Sequence, residues 1–318
     1  MKVTEHIENA NGKSLFSFEI LPPLKGQNIQ SIFDSIDPLM EFNPPFIDVT
    51  YHREEYEYKE LPNGLLQKKV VKKRPGTVGI CAAIQNKYEV DAIPHILCGG
   101  FSKEDTENFL IDMDFLGIEN VVALRGDAVK SETYFKPERD GNQYASELVT
   151  QISNLNKGIY LDEDLQNSSC TDFCIGVAGY PEKHMEAPSM DSDIHFLKQK
   201  IKNGATYIIT QMFFDNKKFF DFVSKCRKEG ITVPIIPGLK PIASKKQLNL
   251  IPHRFKVDLP DDLIMEVVRA SDADAVKEIG IEWCINQSKE LMKAGIPALH
   301  YYSMGKAENI KRIAKAVF

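Results

Sequence analysis

No stretch of this chain carries the roughly 18–20 consecutive apolar residues that a membrane-spanning helix needs. Its opening segment, MKVTEHIENANGKS, lacks the apolar core of a secretion signal. Cysteine is sparse and dispersed, at 81, 98, 170, 174, 226 and 284. Only Cys170 and Cys174 lie close together, and their spacing fits neither a CxxC redox motif nor a zinc knuckle, so reduced thiols in a cytoplasmic protein are expected. Positive charge is not in excess: the formal net charge is -6, which gives no electrostatic reason to expect nucleic acid or a membrane surface as partner. No glycine-rich GxGxxG turn follows the first strand candidate, and neither a Walker loop nor a GxSxG elbow is present. The seven histidines are scattered, and His184 and His195 lack carboxylates at zinc-ligand spacing, so no metal is expected. Low-complexity tracts, solenoid repeats and an obvious linker are also missing. The 318 residues therefore read as a single domain, 1–318.

What is present is an alternation. Short apolar runs occur at 15–20 (LFSFEI), 46–51 (FIDVTY), 92–98 (AIPHILC), 120–126 (NVVALRG), 174–180 (CIGVAGY), 207–214 (YIITQMFF), 233–239 (VPIIPGL) and 298–304 (ALHYYSM). Most are apolar on both faces, as strands of a helix-covered parallel sheet should be. Amphipathic segments separate them. NIQSIFDSIDPLM places Ile29, Ile32, Phe33 and Ile36 on one face. SKEDTENFLIDMDFLG opens with Ser102 and Asp105 as a capping box and closes at Gly117. Further helices are expected to end at Gly204 and Gly230, with a long one over ADAVKEIGIEWCINQSKELMKAG. Eight βα units in succession predict a (β/α)8 TIM barrel of the α/β class, with an open doubly wound sheet as the alternative. Two insertions interrupt the pattern: a basic one at 61–76, expected to be a solvated surface arm, and an acidic one at 158–172.

In such a barrel the site forms at the carboxyl ends of the strands. The runs end on Glu19; Thr50 and Tyr51; His95; Arg125, Gly126 and Asp127; Tyr180; and Gln211. Glu19 is a carboxyl placed in an apolar run, and burial favours the protonated form, which suits a general acid. Pairing with a lysine is the structural alternative, and for His95 the alternative is a hydrogen-bonded core histidine. Arg125 offers a planar fork for a phosphate or carbonyl. Gly126 allows close approach of a flat ligand, and Asp127 suits an aminopyrimidine edge. The RGD triplet ends an apolar strand without a secretion signal, which argues against adhesion. Acid–base work or an organic cofactor remains.

The blocks FSFEILPP, VTY, PHILC, VALRGD, YASELV, GYPEKHMEA, ITQMFFD and IPGLKPI occur in that order. With them the chain resembles the methylenetetrahydrofolate reductase family, from about Ser14 to its end. The resemblance implies a (β/α)8 barrel and noncovalently bound FAD. It implies a ping-pong hydride relay from NADH or NADPH to 5,10-methylenetetrahydrofolate, which yields 5-methyltetrahydrofolate for methionine synthesis. It implies that Glu19 protonates folate N5 and opens the ring to an iminium. Asp127 would hold the pterin and tune the flavin, and Gln211 would contact the folate. FAD would be held by Thr50, His95, Arg125, Gly126, Asp127, Tyr144, Ala145, Tyr180, His184, Asp193 and Lys200. A homo-oligomer is implied, and the chain corresponds to the catalytic barrel alone, so inhibition by S-adenosylmethionine is not expected.

Departures from the family pattern fall at Leu24 and Lys25, at Phe196 in place of an asparagine, in the loop 239–246, which lacks the usual aromatic, and at Gly305 and Lys306. The missing aromatic leaves the electron donor open between a nicotinamide and a ferredoxin-type partner. A non-catalytic flavin or folate binder has no use for the Glu19 acid. A flavin-free barrel lyase or aldolase would purify without colour.

Overall fold

The computed structural model describes residues 1–72, 74–128, 132–303 and 307–318. Gly305 and Lys306, together with Met304 at the end of the last expected strand, lie outside them. The chain runs α1 (Val3–Asn9), β1 (Leu15–Ile20), α2 (Gln30–Ile36), β2 (Phe46–Val49), β3 (Glu55–Glu60), β4 (Leu66–Lys72), α3 (Thr77–Tyr88), β5 (Asp91–Leu97), α4 (Lys103–Phe115) and β6 (Asn120–Leu124). It continues α5 (Ala145–Leu155), β7 (Cys174–Gly179), α6 (Met190–Lys202), β8 (Tyr207–Thr210), α7 (Asn216–Lys228), β9 (Ile235–Ile236) and β10 (Gly238–Leu239). The last elements are α8 (Gln247–Phe255), α9 (Asp261–Arg269), α10 (Ala273–Lys293), β11 (Ala298–Tyr302) and α11 (Ala307–Val317).

All strands except β3 and β4 join one parallel sheet in the order β10-β11-β1-β2-β5-β6-β7-β8-β9. Its two edges, β9 and β10, are halves of one strand. Pro237 stands between them, and proline has no N–H to give to a ladder. β9 pairs with β8 and β10 with β11, while His300 N–H donates to Pro237 O at 3.1 Å across the break. The ring is thus closed, and the structure is the expected eight-stranded (β/α)8 barrel.

Side chains alternate between two environments along each strand. Phe16, Phe18 and Ile20 are buried against the helices with Ile36, Leu39 and Tyr301. On the inside, Phe46, Ile93, Val122, Tyr207, Ile209 and Ile236 fill the lower barrel over Val3 of α1. That helix closes the amino-terminal end: Val3 N–H donates to Asn120 Oδ1 at 2.9 Å, and the terminal ammonium lies 3.0 Å from Asp91 and 2.8 Å from Glu119. These polar groups pair with one another in that closure, and in such barrels a site forms at the opposite end.

Several boundaries differ from the sequence reading for local reasons. The helix expected across residues 28–40 stops at Ile36, and Pro38 turns Asp37–Phe42 into a 3-10 turn. Ser102 caps α4 with Asp105 as expected, accepting from Asp105 N–H. The basic insertion starts earlier than its charge suggested. β3 and β4 form an antiparallel hairpin whose first strand, EYEYKE, alternates charge with tyrosine and lacks an apolar run. The acidic insertion at 158–172 has no helix or strand and is tied down by side chains, Thr171 Oγ1 donating to Asn156 Oδ1 at 2.7 Å among them.

Gly176 pairs with Tyr207 on the neighbouring strand, and a β-carbon there would lie 2.3 Å from the Tyr207 ring. Gly176→Ala is expected to destabilise the protein by about 1–3 kcal/mol through overpacking, read as a lower denaturation midpoint. Gly176→Ala combined with Tyr207→Leu should recover part of that loss, and a single variant as stable as the parent would refute the account.

Candidate active site

Glu19, the penultimate residue of β1, faces the barrel axis beside Asp48 of β2 and Tyr302 of β11, its register partners. Thr50 follows β2, and its hydroxyl donates to Glu19 Oε1 at 2.5 Å. His95 on β5 places Nε2 at 3.7 Å from Glu19 Oε2 and 3.3 Å from Asp48 Oδ2. The surroundings of Glu19 are therefore more polar than its apolar run implied. Burial alone would lower the His95 pKa, but the hydrogen bond His95 donates to Asp48 and the charges of Glu19 and Asp48 outweigh it, and the pKa is raised.

The β10–β11 side completes the mouth. Gly238 pairs with His300 and Leu239 with Tyr301, so the next residue, Lys240, comes level with Tyr302 and, beyond it, Glu19. Burial brings the Lys240 pKa down to about 8, against the pull of Glu19. Tyr302 donates its hydroxyl to Thr210 O at 2.7 Å, and Ser303 donates to the backbone oxygen of Glu19 at 2.6 Å. Deeper inside, His300 Nδ1 lies 3.0 Å from Ser17 Oγ.

The opposite rim is built by the segments after β6 and β7. Gly126, at φ +85°, packs on Leu97, which a β-carbon would approach to 3.3 Å. Arg125 does not offer a free fork: its two terminal nitrogens donate to Glu186 at 2.6 and 2.7 Å, and its guanidinium lies over the Phe135 ring. Asp127 is exposed and, among the described residues, forms no hydrogen bond or ion pair. Tyr180 and His184 meet edge to face with centroids 4.7 Å apart, and Asp193 Oδ2 accepts from His184 N–H at 2.9 Å. Lys200 donates to Ala178 O at 2.9 Å; burial lowers its pKa to about 8 despite Asp193 nearby. Tyr144 is the N-cap of α5 and Ala145 its first residue, and the tyrosine side chain is half exposed, standing apart from the others. Gln211 folds its amide oxygen back onto Met212 N–H at 2.9 Å. Phe196 is exposed on α6.

These residues form two groups. Glu19, Thr50 and His95 touch one another through a shared carboxylate, and Arg125, Tyr180, His184, Asp193 and Lys200 line the rim beside Gly126. The second group fits a flat, phosphate-bearing cofactor such as FAD. Lys200 is a buried ammonium with N–H groups to spare beyond Ala178, the first turn of α5 presents unpaired N–H groups, and Gly126 lets a ring come close. A separate cleft of about 380 Å³, lined by Glu182, Lys218, Lys225, Lys256 and Asp258 among others, lies on the flank between the β7–α6 segment and α7. Ion pairs from Lys218 to Glu182 and Asp258 brace it, and it takes no part in the mouth.

Asp48, Lys240 and His300 were missed in the sequence. The signal that marked Glu19, a polar residue inside an apolar run, marks them too: Asp48 in FIDVTY, His300 in ALHYYSM, and Lys240 directly after VPIIPGL.

A closed parallel barrel with its ionisable groups gathered at the carboxyl ends of the strands is the architecture of barrel enzymes. This chain belongs to the methylenetetrahydrofolate reductase family, whose sequence model matches residues 2–317. It is 32% identical to methylenetetrahydrofolate reductase 1 of Schizosaccharomyces pombe over 98% of its own length and 48% of the yeast protein. It therefore spans about half the length of that curated relative. It is 30% identical to the 5,10-methylenetetrahydrofolate reductase of Escherichia coli, over 96% of this chain and 91% of that one. Among solved structures, an uncharacterized Clostridium thermocellum protein that binds two copies of 5-methyl-5,6,7,8-tetrahydrofolic acid superposes with a TM-score of 0.58. The match covers 98% of this chain and 97% of that one at 15% identity, a likeness of fold.

Because the Lys200 pKa is lowered, the unfolded chain binds that proton more tightly between about pH 8 and the ordinary lysine value near 10.4. Stability should therefore rise with pH across this window, and Lys240 acts in the same sense. Lys200→Met is expected to flatten the rise and to raise the melting temperature of the protein at neutral pH. An unchanged pH slope in thermal melts would contradict this.

Proposed function

We propose that this protein reduces 5,10-methylenetetrahydrofolate to 5-methyltetrahydrofolate in a ping-pong cycle that uses FAD and NADH or NADPH. Family membership supports the substrate, and the observation that carries the reading is the placement of Glu19 at the mouth, oriented by Thr50 and backed by His95. When bound, FAD would carry the hydride from the nicotinamide to the folate.

The chain's own part in the chemistry follows from the connectivity of the product. The new methyl group stays on N5, so the bond that breaks joins the methylene carbon to N10, and the proton must reach N10. This moves the proton from the N5 position that the family resemblance suggested. The carbon gains a hydride, N10 gains a proton, and charge balances. Glu19 is the donor in this reading. Thr50 holds its Oε1, which leaves Oε2, facing His95, as the oxygen that would pass the proton. Asp127, exposed and without a partner among the described residues, is free to accept from the donor edge of the pterin, and Gln211 can unfold its amide from Met212 to do the same. Tyr180, His184, Asp193 and Lys200 would hold FAD, with Lys200 supplying charge to a phosphate. Thr50 and His95 would lie against its ring system, and Arg125, tied to Glu186, would position the Gly126 turn. Lys240, after β10, would stand beside Glu19 on the side open to the second substrate. Methyl supply for methionine synthesis would be the product's use.

The test is anaerobic stopped-flow absorbance at the flavin band. NADH or NADPH should bleach it, and methylenetetrahydrofolate should restore it. Glu19→Gln is expected to bind FAD and be bleached normally, while the folate step slows by about 10²–10⁴. Folate turnover near the parent rate would remove Glu19 as the acid. A yellow protein bleached by neither nicotinamide would point to a protein electron donor, and one unable to take up FAD would sink the proposal.

A further inference from the structure

Two histidines face the inside of the barrel, both buried, and the structure treats them oppositely. His300 lies against Ser17, and burial lowers its pKa. His95 lies between two carboxylates, Asp48 Oδ2 at 3.3 Å and Glu19 Oε2 at 3.7 Å, both measured to the same nitrogen, Nε2. Asp48 is wholly enclosed. An isolated buried carboxylate is costly unless a cation or donors meet it, and its second oxygen, Oδ1, has no hydrogen-bond partner among the described residues. An imidazolium at His95 supplies a counter-charge to Asp48, and a proton on Nε2 is hydrogen-bonded to Asp48 Oδ2 with Glu19 Oε2 the next carboxylate oxygen, at 3.7 Å.

We infer that Asp48 and His95 form a proton-holding pair behind Glu19, which returns a proton to its carboxylate in each catalytic cycle. The inference rests on the proposed reductase reading, in which Glu19 loses a proton to the folate nitrogen. The transfer is from His95 Nε2 to Glu19 Oε2: the N–H bond breaks, the O–H bond forms, and the imidazole becomes neutral while Asp48 keeps its charge. No hydride or other redox partner enters the step. After Glu19 has delivered its proton, solvent at the mouth recharges His95. Asp48 does not touch substrate in this scheme; it is a positioning residue that acts through His95. Among the described residues, His95 Nδ1 makes no hydrogen bond, so the cofactor contact expected of His95 is compatible with this role.

The groups facing the pair from the surrounding elements are few. Glu19 comes from β1, His300 and Tyr302 from β11, Tyr207 from β8 and Lys240 from the end of β10. Cys81 of α3 lies near Asp48 on the helix side. Burial raises the pKa of Tyr207, Tyr302 and Cys81, which keeps them neutral, and His300 stays neutral as well. The charged set therefore reduces to Glu19 and Asp48 against His95 and Lys240. Moving one proton between His95 and Glu19 leaves the total charge of this set unchanged, so the transfer needs no charge rearrangement beyond it.

The experiment uses the full chain labelled with 15N-histidine, followed by NMR titration without cofactor, so the first readout is independent of activity. His95 should titrate above the ordinary imidazole value of about 6.5. Asp48→Asn and Glu19→Gln should each move its midpoint down by about one pH unit or more. In the FAD-loaded enzyme, Asp48→Asn should slow the folate step at least about tenfold, with bleaching by the nicotinamide within about twofold of the parent. A His95 midpoint unmoved in both variants overturns the inference, as does a folate step of parental rate in Asp48→Asn. Should Asp48→Asn fail to fold, Glu19→Gln at the mouth carries the titration alone. A protein with the expected titration coupling that never oxidises with folate would sink the reductase reading and leave the charge pair standing. A working reductase without the coupling would do the reverse.

Discussion

Parallel strands that alternate their side chains between two environments put Leu15, Ser17 and Glu19 on the inside of this barrel and Phe16, Phe18 and Ile20 beneath its helices. Closure of the ring turns that alternation into a constraint on chemistry. Inward polar groups above the apolar floor look to other inward groups for partners, because helices seal the outside and α1 seals the bottom. Asp48, His95 and Glu19 satisfy one another, Ser17 meets His300, and Thr50 meets Glu19. The carboxyl end of the barrel is where this set opens toward solvent, so the carboxylate that closes an otherwise apolar strand meets polar partners there.

The split seventh strand shows how closure and function share residues. Pro237 interrupts the ladder, yet His300 N–H reaches its carbonyl and Tyr302 reaches Thr210 O. Gly238 leaves room for the Tyr302 ring, which a β-carbon there would approach to 2.6 Å. The same break releases the backbone just before Lys240, so the seam of the barrel carries a cation into the mouth. On the far rim, the buried charge of Lys200 has an analogous cost. A buried ammonium opposes folding at neutral pH, and an anionic group bound there would relieve it.

Much was legible before the fold. The eight apolar runs became the eight barrel strands, because a parallel sheet covered on both faces needs residues apolar on both sides and leaves a distinctive rhythm in the chain. Capping residues such as Ser102 and punctuating glycines such as Gly117 marked helix ends, since their effects are local. The hairpin of β3 and β4 starts before the solvated surface arm expected at 61–76 and gives part of it a strand. Its strands alternate charge with tyrosine, and their pairing depends on a partner strand that charge composition does not reveal.

The sequence by itself determined the fold class, the family and the positions of the groups at the strand ends, since each depends on short-range periodicity or on blocks of local residues. Only the tertiary structure decided which of those groups touch. It tied Arg125 to Glu186 across sixty-one positions of chain, left Asp127 without a partner among the described residues, and brought Asp48, a residue passed over in FIDVTY, between the barrel wall and His95. The physical reason is that hydrogen bonds and charge pairing act over a few ångströms in space. Residues forty-seven positions apart, as Asp48 and His95 are, become neighbours only when strands β2 and β5 are laid side by side.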